Sequence, residues 1–215
     1  MQKIKAFNEK RAEIYWWLSG LFTNELSTKE LKQYNRPEIR TFLAGLGENQ
    51  QLAEPVSQLT SILDQLLAQE DAQASLAESF HKLFHTCDQS SVLPYASLYM
   101  DKALINDKTP AQLITEMMES NGVHVQEHTS EPYDHLAVEL DFLGHLIIRS
   151  NELEQPAHME QALHFQGDYI RHHLLTWVPE FSFHCSRNDN LGFYGAISLL
   201  LVAFLQLDLN YLGGD

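Results

Sequence analysis

Apolar residues recur three and four positions apart along nearly the whole chain, and no stretch alternates apolar with polar residues as a half-buried strand would. The first segment sets the pattern: Ile4, Phe7, Arg11, Ile14, Leu18 and Leu21 share one helical face, with Arg11 as the single charged interruption. In "STKE", Ser27 and Glu30 match a capping box ahead of Leu31 and Tyr34. Pro37 opens "PEIRTFLAGLG", and Pro55 opens a stripe of Val56, Leu59, Leu63, Leu66 and Leu67. Leu76, Phe80, Leu83, Phe84 and Cys87 form the next, and "TPAQLITEMMESNG" has Pro110 near its start and Gly122 past its end. Beyond Pro132, Leu136, Leu140, Leu143 and Ile147 make a strict stripe, and further helical segments follow to the C-terminus. The expectation is an all-α protein.

A chain of 215 residues holds one sizeable core or two small lobes. The polar segment "NGVHVQEHTSEPYD", in which only Val123 and Val125 suit an extended piece, is the best hinge. Residues 1–120 are therefore expected to form an N-terminal helical lobe, 121–135 a hinge and 136–215 a C-terminal helical lobe. Exchange of a lobe between chains across that hinge is one route to a homo-oligomer, with a monomer equally compatible.

With 29 Asp plus Glu against 14 Lys plus Arg, the formal charge of −15 repels phosphate backbones and attracts basic partners. Cys87 and Cys185 stand far apart, so a disulfide framework is not expected and the cytoplasm is the default compartment. Lys3, Lys5, Glu9, Lys10, Arg11 and Glu13 break any signal-peptide core at the N-terminus. The apolar run from Leu191 to Leu207 stops short of the roughly 20 residues of a membrane span, which favours a buried helix.

The densest group of titratable residues lies in "EPYDHLAVELDFLGHL". His135 and Glu139 are one helical turn apart, whereas Asp134 points elsewhere, so the three do not converge on one reacting atom. The simplest reading makes Asp134 the helix cap, partly exposed and able to receive a partner's arginine, with His135 and Glu139 as an i,i+4 pair. An acid/base or metal enzyme built on His135 and Glu139 is the rival, and a scaffold for another basic partner is a second. His81 and His85 share a helix face near Cys87, but they read as surface histidines. Neither the His172–His173 doublet nor His184 beside Cys185, which read as a loop, completes a metal-ligand pattern, so no metal is expected. Glycine-rich phosphate loops and a serine elbow are absent from the sequence. Trp16, Trp17, Phe84, Tyr95, Tyr99, Tyr133 and Trp177 leave room for an apolar groove beside acids, which would suit a basic, hydrophobic peptide.

Taken in order, "ESFHKLFHT", "LPYASLYMD" and "EPYDHLAVELDFL" resemble the TorD/DmsD/NarJ family of redox-enzyme maturation chaperones, nearest its TorD branch. The most specific element is Tyr95-x-Ser97-x-Tyr99 followed by Asp134-His135-x-x-x-Glu139. The resemblance implies a cytoplasmic, cofactor-free, non-catalytic chaperone with the family's all-α fold. Its partners would be an apo molybdenum reductase, in that branch trimethylamine N-oxide reductase, and the twin-arginine signal peptide of that enzyme. The client would be held competent for molybdopterin insertion before export. The implied partner-binding positions are Asp134, His135, Glu139, Pro94, Tyr95, Ala96, Ser97 and Tyr99. Some relatives have glycine where this chain has Ala96, and the tryptophans of the DmsD branch are missing around Phe80 to Phe84.

Overall fold

The computed structural model describes residues 2–100, 108–123 and 131–213. Among these residues the fold is all-α: α1 (Gln2–Thr23), α2 (Thr28–Gln33), α3 (Pro37–Gly47), α4 (Ala53–Leu67), α5 (Ala72–Phe84), α6 (Pro110–Ser120), α7 (Leu136–Ser150), α8 (Pro156–Tyr169), α9 (Leu175–Asn188) and α10 (Phe193–Gly213). Local chemistry sets several of the ends. Ser27 and Glu30 form the expected capping box on α2, and Thr109 and Gln112 form another on α6, where Pro110 occupies the first turn. At the end of α6, Gly122 has a φ of 59°, and Val123 N–H reaches back to Met118 O at 2.9 Å, a closure that needs a residue tolerant of the left-handed region.

The contacts divide the chain into two compact units, each assembled from separated segments. One comprises Met1–Thr23, Pro94–Trp177 and Asp208–Asp215, and the other Asn24–Leu93 and Val178–Leu207. This differs from a division into consecutive lobes 1–120 and 136–215, because both units draw on residues from each side of 121–135. Within that segment residues 124–130, including Val125, lie outside the described residues, as does any lobe exchange through them.

In the first unit α1 packs along α7. Ser19 Oγ donates to Ala137 O at 2.8 Å, and a Cβ placed on Gly144 would come within 2.5 Å of Trp16 Nε1. Glycine is therefore the residue that lets these two helices approach. Gly144→Ala should push the rigid indole aside and lower stability by about 1–3 kcal/mol, readable as an earlier urea midpoint at unchanged slope. An unshifted midpoint would mean that the helix contact is looser than the geometry indicates.

The interruption at Arg11 turns out to be internal. Its guanidinium is 2% exposed and grips Asp208 through Nε–Oδ1 at 2.5 Å and Nη2–Oδ2 at 2.9 Å. Tyr15 Oη donates to the same carboxylate at 2.8 Å, while Arg11 also donates to Asn8 and Gln166. Ile4 and Phe7, expected to continue the buried stripe, are exposed at the open end of α1, where Phe7 meets Tyr211.

The second unit is built around Phe80, Phe84, Phe181, Phe193 and Tyr194, whose rings meet one another. Asp189 organises the entry to α10 by accepting from the backbone N–H groups of Leu191 and Gly195 and from Ser79 Oγ. Two expectations fail here. Cys87 lies beyond the end of α5 and is exposed, and His184 and Cys185 lie inside α9 rather than in a loop, with the thiol buried. By length and composition α10 could cross a membrane, since it continues past Leu207 to Gly213. Its buried Phe193, Ile197, Leu201 and Leu205 are also what the core helix of a water-soluble fold presents.

Candidate functional site

The two sequence elements singled out above meet in the first unit, although more than thirty residues separate them along the chain. Tyr95 and His135 form an isolated antiparallel bridge. Leu136 N–H donates to Pro94 O at 2.8 Å, and Ala96 N–H donates to Asp134 O at 2.9 Å. A single 3-10 turn, Ala96–Leu98, follows, and the Asp134 carboxylate accepts from Ser97 N–H at 3.1 Å. Tyr95 Oη donates to Glu131 at 2.6 Å, and burial together with that acceptor pushes the phenol far above its ordinary range. Pro94 and Ala96 are buried in this junction, whereas Ser97 is exposed. Alanine is accommodated at position 96 with the side chain fully covered.

Asp134 does not cap α7. That role falls to His135, whose Nδ1 accepts from Ala137 N–H at 3.1 Å. The bridge to Tyr95 fixes how the chain enters the helix, which places His135 at the cap position and turns Asp134 toward the 3-10 turn. Nor is Asp134 partly exposed: it is 3% exposed, His135 5% and Glu139 0%. Besides Ser97, the exposed groups are neighbours of the predicted residues, with Leu98 at 59% on the 3-10 turn and Tyr133 at 42% just before Asp134.

Glu139, on the first turn of α7, accepts from His173 Nε2 at 2.8 Å and from Trp177 Nε1 at 3.2 Å. Burial pushes the Glu139 carboxyl up, against the pull of His173. His173 also sits above the usual imidazole range: burial alone would lower it, but the Glu139 carboxylate and its hydrogen bond outweigh that. The indole of Trp177 stacks on Tyr99 with centroids 5.7 Å apart, and Tyr169 stacks on His173 at 5.2 Å. His173 belongs to a π-helical segment, Ile170–Leu174, that joins α8 to α9. Pro179, which cannot donate within the helix, lies in the second turn of α9 just beyond it.

This arrangement is poor for acid/base chemistry. His135 Nδ1 is spent on the helix backbone, and both Glu139 oxygens point at buried donors away from solvent. Among the described residues no group of three His, Cys, Asp or Glu is disposed to hold a metal ion. His81 and His85 stack on each other at the surface of α5 and its end. Sequence reasoning missed Glu131, His173 and Trp177 as members of the cluster. In the sequence Trp177 is one aromatic among several and His173 half of a doublet.

The profile of the family described as nitrate reductase delta subunit matches residues 49–182. "Chaperone protein TorD" of Vibrio parahaemolyticus serotype O3:K6 is 53% identical over 216 aligned residues, covering 100% of both chains. The protein of the same name from Vibrio cholerae serotype O1, El Tor Inaba, is 48% identical over 97% of this chain and 94% of its own. That of Aliivibrio salmonicida is 43% identical over 100% of both.

Proposed function

Since the chain belongs to the TorD/NarJ family of redox-enzyme maturation chaperones, we propose that it escorts the apo form of a molybdenum reductase, trimethylamine N-oxide reductase, in the cytoplasm until molybdopterin is inserted. It is a chaperone and not an enzyme, as its relatives are named. The observation that carries the reading is the full-length match at about half identity to proteins called chaperone. The client features recognised are the twin-arginine signal peptide and the catalytic body.

The proposed peptide site is the junction of Pro94, Tyr95, Ala96, Ser97 and Tyr99 with Asp134, His135 and Glu139. Burial assigns different roles within it. Ser97 and Leu98, with Pro132 and Tyr133 opposite, are exposed and would touch the peptide, the apolar pair covering its hydrophobic segment. Asp134, His135 and Glu139 would act from beneath by holding the turn, and the arginines would be drawn in by the acidic surface of a chain with a charge of −15. A buried Asp134 already engaged by Ser97 N–H is a support for the turn rather than a ready socket for a guanidinium.

Tagged chaperone retrieved from cells making the reductase should carry the unprocessed, cofactor-free precursor, and the amount retained should fall as salt is raised. Recovery of mature, cofactor-loaded enzyme instead, or equal recovery of a precursor without its leader, would contradict the reading.

A further inference from the structure

We infer that His173 and Trp177 are positioning residues for the client-recognition turn, acting on it through Glu139 and Tyr99. The inference rests on the reading of that turn as the peptide site and extends it to residues that touch no client.

The turn is held from two sides. On one side lie the three bonds to residues 134–136: Ala96 N–H to Asp134 O, Leu136 N–H to Pro94 O, and Ser97 N–H to the Asp134 carboxylate. On the other, Tyr99, the residue that ends the turn, lies face to face with Trp177 at 5.7 Å and 22°. Trp177 is 0% exposed, and its indole N–H points at Glu139. The second oxygen of Glu139 faces His173. One carboxylate at the start of α7 thus ties down both the aromatic platform beneath the turn and the helix segment that carries it. A buried carboxylate needs its donors, and removing one leaves an acceptor that water cannot reach.

Local backbone geometry agrees with a specialised role. The segment that bears His173 is the π-helical one, and Trp177 follows one turn later. Single-turn π segments inside helices are frequently found at functional sites. The titratable groups acting on the Glu139–His173 couple are Asp134, at the entry to α7, and Tyr169, stacked on His173. Two carboxylates against one imidazole make the proton on His173 the balancing charge of the cluster.

His173 therefore holds its proton more tightly when folded than when unfolded. Its contribution is complete below the ordinary imidazole range and is lost as pH rises through the raised value. Order in the turn should follow the same course.

The test uses the full-length chain and two readouts. The first is hydrogen exchange at the Ala96 and Ser97 amides in the free protein across about pH 6 to 9, corrected for intrinsic exchange. The second is calorimetric affinity for a synthetic twin-arginine leader peptide. Wild type should lose protection at both amides and bind the peptide several-fold more weakly toward the upper end. His173→Gln, which keeps a donor for Glu139 but does not titrate, should give flat profiles in both. Trp177→Phe, which keeps the ring but not the N–H, should lower protection of Ala96 and Ser97 while the α10 amides keep theirs. Unchanged wild-type pH profiles in His173→Gln, or full protection of the turn in Trp177→Phe, would overturn the inference. If the peptide fails to bind wild type at any pH, the proposed function falls, and the exchange measurement still decides the positioning role.

Discussion

Asp208→Ala is expected to destabilise the protein by about 3–5 kcal/mol, because it strands a buried guanidinium. Arg11 is 2% exposed, and it directs two donors to Asp208 and one each to Asn8 and Gln166. Tyr15 adds a fifth bond to the cluster, and the guanidinium lies over the Tyr211 ring at 5.3 Å. Removing the carboxylate leaves neutral amides and a phenol to stabilise a full positive charge in a dry interior, which they do poorly. The size of the loss reflects the charge left behind more than the worth of the pair. Arg11→Met combined with Asp208→Leu should therefore recover most of it, since both charges leave together and the volumes are filled. Urea unfolding of the single and double variants measures both. A loss below about 1 kcal/mol in Asp208→Ala would show that solvent reaches the cluster.

Arg11 also shows where sequence reasoning stops. A charge in the middle of an apolar stripe was visible as an anomaly, but the spacing did not say that it is buried, since Ile4 and Phe7 on the same stripe are exposed. Its partner stands 197 residues away on α10, and no local pattern links the two. Helix existence was legible because each helix carries its own periodicity and many carry their own punctuation, such as Ser27 with Glu30 and Pro110 with Gly122. Features fixed by tertiary contacts were not. Which of Asp134 and His135 caps α7 depends on the bridge that Tyr95 makes to His135, so the choice made from cap preferences alone went to the wrong neighbour. Cys87 fits the spacing of α5, yet the helix ends at Phe84 before reaching it.

The candidate site was legible in part. Its two elements were named from the chain, and the fold brings them into one junction. Their burial was not foreseen, because Asp and Glu are mostly found at the surface and His only part of the time inside, and only their hydrogen bonds explain their places here. Glu131, His173 and Trp177 stand at no diagnostic spacing from Tyr95 or Glu139, and only the folded chain associates them.

The second large effect is expected at Leu98. This side chain is 59% exposed beside Tyr133, itself 42% exposed, and it makes up the apolar part of the proposed peptide surface. Leu98→Asp places a carboxylate where the hydrophobic segment of the leader would lie, so binding would have to bury that charge. Because Leu98 is open to solvent in the free protein, the folded state should tolerate the change within about 0.5 kcal/mol. Affinity for the leader should nonetheless fall by a factor of about 10 to 30, which corresponds to roughly 1.4–2 kcal/mol. Tyr133→Ala should act in the same direction, with the smaller loss of an aromatic contact. Asp134→Asn should act indirectly, by loosening its hold on Ser97 N–H.

Calorimetric titration of the twin-arginine leader peptide into wild type and Leu98→Asp, at one fixed salt concentration, asks whether this junction is where the client's leader binds. Wild type should bind saturably, and the variant should lose about tenfold or more in affinity while its thermal unfolding is unchanged. Equal affinity in the two proteins would place the peptide elsewhere and contradict the assignment of this junction as the client-recognition surface.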